Sequence, residues 1–118
     1  MARTVLTVMK ADRMSEAAEA GTYASMLVTP NSTDGAEFEL GKDHKTMILL
    51  VNDGTGTATA TIKAGNGIQG VADLSVSLTA GKYTIVSPEA GRFKLVSGTD
   101  KGKVLIGGTA KVAVFELP

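Results

Sequence analysis

The sequence has no cysteine, no tryptophan and a single histidine in 118 residues. Without cysteine, disulfides, thiolate nucleophiles and Cys-based metal sites are excluded. One histidine, His44, rules out a His-His metal motif. Charge of one sign is also missing: 12 Lys plus Arg balance 12 Asp plus Glu. Nucleic-acid binding leans on a cationic excess, so no nucleic-acid partner is expected. Aromatic residues are scarce, with two Tyr and three Phe. That is thin material for a base-stacking or sugar-stacking surface, which presents several rings. Long apolar runs are absent too. The longest is Met47-Ile48-Leu49-Leu50-Val51, whereas a transmembrane helix needs about twenty residues, so no membrane partner is expected. The opening Met-Ala-Arg-Thr-Val-Leu-Thr-Val-Met-Lys is broken by threonines and has no continuous apolar region. The expectation is a soluble chain made without a signal peptide, and therefore an unused glycosylation sequon at Asn31-Ser32-Thr33.

What is present is glycine, 14 residues of it, and short β-branched runs between the glycines. The length fits one domain, residues 1–118. Strands are expected at Arg3–Met9, Tyr23–Thr29, Glu37–Leu40, Thr46–Val51, Thr57–Lys63, Asp73–Thr79, Tyr83–Ser87, Arg92–Val96, Val104–Ile106 and Lys111–Leu117. Period-two alternation is cleanest at Leu74, Val76 and Leu78 against Ser75 and Ser77. Phe38 and Leu40 alternate with Glu37 and Glu39, and Phe93 shares a face with Leu95. Thr46–Val51 is almost wholly apolar, the pattern of a strand covered on both faces. Lys111–Leu117 is apolar on both faces as well, so it is central or meets another subunit. Asn52-Asp53-Gly54 predicts a hairpin between Thr46–Val51 and Thr57–Lys63, and Gly107-Gly108 predicts another before the last strand. Only Met14–Ala20 has helix-favouring content, and it spans about two turns. About eight to ten short strands at this spacing predict an all-β fold, an antiparallel β-sandwich of jelly-roll or immunoglobulin-like type, with at most one short helix.

No motif carries catalysis. Gly65-Asn66-Gly67-Ile68-Gln69-Gly70 matches G-x-G-x-x-G, but a strand pattern follows it where a dinucleotide site needs a helix. His44 lies in a charged turn, and its neighbour Asp43 cannot orient it from the opposite side of an extended chain. The carboxylates are scattered, and Asn52-Asp53-Gly54 is too sparse for a calcium loop. Catalytic residues, metal ligands and cofactors are therefore assigned to none, and enzymatic activity is not expected.

From Asp43 onward the order of segments carries a resemblance. Thr46-Met-Ile-Leu-Leu-Val-Asn-Asp leads into Thr57-Ala-Thr-Ala-Thr-Ile-Lys-Ala-Gly-Asn-Gly. Asp73-Leu-Ser-Val-Ser-Leu-Thr-Ala-Gly-Lys-Tyr and Ile85-Val-Ser-Pro-Glu follow. Arg92-Phe-Lys-Leu-Val, Lys103-Val-Leu-Ile-Gly-Gly and Ala110-Lys-Val-Ala-Val-Phe-Glu-Leu close the chain. These segments, roughly the last two-thirds of the chain, resemble the capsid decoration, or auxiliary head, proteins of bacteriophages. The resemblance implies a β-sandwich virion structural protein made in the host cytoplasm and placed on the outer capsid surface. There it cements and stabilises a lattice of major capsid protein, often as a homotrimer, without catalysis or cofactor.

Residues 1–29 are expected to form an N-terminal arm or edge-strand segment. Val5, Leu6, Val8, Met9, Met26 and Leu27 show no single buried face, as in a segment that adds a strand to a neighbour's sheet. Val5, Leu6, Val8, Met9 and Tyr23 are the expected partner contacts. The alternative is a carbohydrate- or cell-surface-binding sandwich module of a head or tail accessory protein. Exposed, coplanar Tyr23 and Tyr83 would mark that alternative.

Overall fold

The computed structural model describes residues 3–10, 26–41, 43–68, 70 and 72–117. The expected helical stretch Met14–Ala20 lies outside them, as does Tyr23, so the expected strand Tyr23–Thr29 is described only from Met26. Within them the chain is an all-β sandwich. Its strands are β1 (Thr4–Val5), β2 (Val8–Lys10), β3 (Ala36–Glu39), β4 (Thr46–Val51), β5 (Ala58–Ile62), β6 (Leu74–Leu78), β7 (Tyr83–Val86), β8 (Lys103–Gly108) and β9 (Lys111–Glu116). One sheet, A, has the order β1-β3-β8-β5-β6, and the other, B, has the order β2-β9-β4-β7. Pairing is antiparallel except at one edge. There β1 runs parallel to β3 and β2 parallel to β9.

The inward halves of the alternations build the core. Sheet A contributes Ala36 and Phe38 from β3, Val104 and Ile106 from β8, Ala58, Ala60 and Ile62 from β5, and Leu78 from β6. Sheet B contributes Ile48 and Leu50 from β4 and Val112 and Val114 from β9. Ile48, Leu50, Ile62, Val104 and Val112 are fully buried. Each large aliphatic side chain removed from water in this way stabilises the fold by about 1.5–3 kcal/mol.

The chain alternates between sheets more than local turn chemistry predicts. β4 pairs with β7 and β9 and not with β5, so residues 52–57 cross from sheet B to sheet A. The expected hairpin at Asn52-Asp53-Gly54 is therefore an inter-sheet crossing. Asn52 holds it. Its Nδ2 donates to Gly56 O at 2.6 Å and to Leu78 O at 2.9 Å, and its Oδ1 accepts from Gly54 N at 3.0 Å. The second expected hairpin fails likewise. Gly107 and Gly108 lie inside β8, and the chain then crosses to β9 in sheet B, with the N–H groups of Thr109 and Ala110 both donating to Thr59 O. Among the described residues only β5 and β6 are consecutive strands of one sheet, joined by the glycine-rich loop. Arg92–Val96 is not a strand. Ala90–Phe93 forms a single helical turn, α1, directly after Pro88-Glu89, with Phe93 buried and the Arg92 guanidinium 4.8 Å from its ring centroid.

Candidate functional site

The two outer faces of the sandwich differ in chemistry. On sheet A, Thr61 lies beside Ser75 and Thr59 beside Ser77, and Thr61 faces Gly107 on its other side. This is the small, polar surface expected of a solvated sheet face. On sheet B the strand register lines up three rows. Met9, Phe115 and Met47 form the first. Ala113, Leu49 and Ile85 form the second, and Lys111, Val51 and Tyr83 the third. Eight of these nine positions are apolar or aromatic. The one charge, Lys111, is bound to Asp53 at 2.8 Å. That contact holds the Asp53 carboxyl below its ordinary value of 3.8, chiefly through the hydrogen bond from Lys111. Tyr83 is 67% and Ile85 55% exposed, and Met9, Met47, Leu49, Val51 and Phe115 are half-buried. The double-sided apolarity of β4 is thus not a sign of full cover. Ile48 and Leu50 face the core, while Met47, Leu49 and Val51 face outward and stay partly accessible.

The expected contact residues separate by face. Segment 3–10 is built into its own domain. Thr4 N donates to Gly35 O at 2.9 Å and Leu6 N to Glu37 O at 2.8 Å. Leu6, 6% exposed, belongs to the core, and Val8 packs against it. Val5, 75% exposed, points out at the sheet A edge, and Met9 joins the apolar face of sheet B. Tyr23 lies outside the described residues. Val28 is bridged to Val112 by reciprocal hydrogen bonds of 2.9 and 2.8 Å, beside β2 on the same edge of β9.

Charges elsewhere close on one another. Arg3, Glu37, Lys103 and Asp100 form a ring of alternating sign. Arg3 Nη1 lies 3.2 Å from Asp100 Oδ2 and 3.6 Å from Glu37 Oε1, and Lys103 Nζ contacts Glu37 Oε2 and, at 3.7 Å, Asp100 Oδ1. Hydrogen bonding to Glu37, with its charge and that of Asp100, raises the Lys103 ammonium above its ordinary 10.5. The ring buries Glu37, which the alternation places on the solvated side. It also pins the start of β1 to β3 and β8. Beside it lies a depression of about 800 Å³ lined by Arg3, Glu37, Lys63, Asp73 and the Asn31–Gly35 turn. Its lining mixes two cations, Arg3 and Lys63, with three carboxylates, Asp34, Glu37 and Asp73.

The G-x-G-x-x-G stretch is a structural clamp. Asn66 Oδ1 accepts from Val96 N at 2.7 Å and Asn66 Nδ2 donates to Ser97 O at 3.2 Å, tying the loop to the segment after α1. A strand, β6, follows it. His44 is exposed in a short 3-10 turn, Asp43–Lys45. Among the described residues no group of three or more His, Asp or Glu side chains converges to hold a metal ion. Comparison with protein-family models, curated proteins and solved structures finds no match.

Proposed function

We propose that this chain is a bacteriophage virion structural protein, a capsid decoration protein that sits on the outer surface of the assembled shell and cements neighbouring major capsid protein subunits. It acts as a homo-oligomer, by surface area and without turnover. The observation that carries this reading is the asymmetry of the sandwich: a face lined by hydroxyls along β5 and β6 on sheet A, and an apolar face across β2, β9, β4 and β7 on sheet B. A protein made to bridge protomers needs one such face against its support and one toward water. Partly accessible apolar side chains gathered on one sheet face, with Tyr83 and Ile85 the most exposed, support a binding surface there. The order of strand segments that resembles decoration proteins supplies the identity of the support.

Stabilisation then follows from linkage, because a ligand that binds the assembled lattice better than free subunits shifts the equilibrium toward the lattice. The test is thermal disruption of shells of the phage that encodes the chain, with and without added protein. The reading predicts that decorated shells rupture at a higher temperature and that free capsid protein gains no stability. Shells unaffected by saturating protein, together with retention on a glycan array, would replace it by the carbohydrate-binding alternative.

A further inference from the structure

We infer that the β6 edge of the sandwich pairs with the β6 edge of a second copy of this chain, in antiparallel register about a two-fold axis through Val76. The inference goes beyond the proposed function and does not depend on it. β6 ends sheet A and β7 ends sheet B, and the tight turn at residues 79–82 joins them, so both lie on one side of the sandwich. The opposite side is occupied by the parallel strands of segment 3–10.

Exposed sheet edges are ordinarily guarded by lysines, prolines or bulges that discourage a further strand. β6 reads Leu74-Ser75-Val76-Ser77-Leu78 and carries none of these. It is also a palindrome. Antiparallel pairing about Val76 sets Val76 against Val76, Leu74 against Leu78 and Ser75 against Ser77 in both directions. Leu meets Leu on the inner side and Ser meets Ser on the outer side. Few strands are self-complementary in this way, and self-complementarity is what an isologous two-fold contact requires. Val76 is only half-buried although it packs against the core, as expected of an inward side chain at an edge that no described strand covers.

Charge agrees with the same partner. Between residues 73 and 86 the only formal charges are Asp73 at one end and Lys82 toward the other. Antiparallel pairing brings the acidic end of one copy toward the basic end of the next, and no like charges face each other. A two-fold relating antiparallel strands of one sheet stands perpendicular to that sheet. Sheet B therefore lies on the same side in both copies, β7 meets β7, and the two apolar outer faces point in one direction. The contact is small. Five strand residues span about 17 Å, and the shortest dimension of the molecule is 25 Å. An interface at the low end of the specific range associates in the micromolar regime.

The experiment is sedimentation of the whole chain from about 1 to 300 μM. It is run on the wild type, on Ser75→Lys/Ser77→Lys and on Ser75→Glu/Ser77→Glu. Both serines are exposed and lie beside threonines of β5, so the variants keep the fold while placing like charges directly opposite across the two-fold. The wild type should pass from 12.1 kDa to twice that mass, each variant alone should stay at the single-chain mass, and the lysine and glutamate variants mixed should regain the doubled mass. Hydrogen exchange on the wild type reads the same contact without substitution: the amides of 74–78 should gain protection as concentration rises. A wild type that stays single, a trimer such as the family resemblance implies, a doubled mass retained by the lysine variant, or concentration-independent exchange at 74–78 would overturn the inference.

Discussion

Gly35 and Gly81 share the same left-handed backbone, φ +77° in both, yet their surroundings differ. A Cβ on Gly35 would stand 2.5 Å from Ile106 O, whereas nothing lies within 4 Å of one on Gly81. Gly81→Ala should cost about 1–2 kcal/mol from backbone conformation alone. Gly35→Ala should cost at least ~1 kcal/mol more, because β8 must shift to admit the methyl group. Urea midpoints of the two variants decide the matter, and equal losses would contradict the close approach of the 31–35 turn to β8. Lys103 supplies a second test at this scale. Its ammonium titrates above 10.5 in the folded chain because it donates a hydrogen bond to the Glu37 carboxylate, which favours the charged form. Its contribution is therefore complete below about pH 10.5, the unfolded value, and is lost as pH rises through the folded one. The stability difference between wild type and Lys103→Met should be constant from neutral pH up to about 10 and shrink above it. A difference that grows with alkalinity would contradict the ring. Glu37 itself shows the limit of residue-by-residue reading. Its phase is that of a solvated position, and its burial comes from Arg3, Asp100 and Lys103, which only the fold brings together.

Most strand positions and inward faces were legible in the alternation, since a period of two is a local property. The exceptions are Arg92–Val96, where a helical turn forms, and Arg3–Met9, which divides into β1 and β2 on different sheets. The sets Phe38 and Leu40, and Leu74, Val76 and Leu78, face inward as read, and β9 is a central strand. Strand partners were not legible. Asn52-Asp53-Gly54 has the same turn chemistry whether the chain returns within its sheet or crosses to the facing one. The crossing is selected by Asn52 reaching Leu78, which is 26 residues away, and by its backbone contacts to Gly81 and Lys82. The candidate face was half legible. β4 and β9 announced apolarity on both sides, but only the register adds Met9, Ile85 and Tyr83, one to each row, to the face they form. Because Asn52 satisfies a buried carbonyl at the junction of both sheets, Asn52→Ala should destabilise the domain by about 1–3 kcal/mol. Asn52→Asp should be worse at neutral pH, because a carboxylate would face the carbonyl oxygens of Gly56 and Leu78. Acidification that protonates it should recover part of the loss. Thermal melts at pH 4 and pH 7 measure this, and an Asn52→Asp variant as stable as wild type would remove Asn52 as the link.

At the scale of the whole molecule, the account rests on a sandwich with unlike sides. Sheet A shows hydroxyls and a neutral ring of charges, and sheet B shows methionines, aliphatics and aromatics. In the proposed assembly the sheet B face is buried against the shell. Tyr83→Glu/Ile85→Glu places two charges in its most exposed corner without touching the core, so the isolated domain should keep its melting temperature within a few degrees. Buried uncompensated charge at an interface costs several kcal/mol, enough to lower affinity more than tenfold. The most direct measurement is co-sedimentation of wild type and this double variant with assembled shells of the encoding phage. The account predicts saturable binding of the wild type and at least a tenfold loss for the variant. Equal binding of the two, or no binding of the wild type, would contradict it.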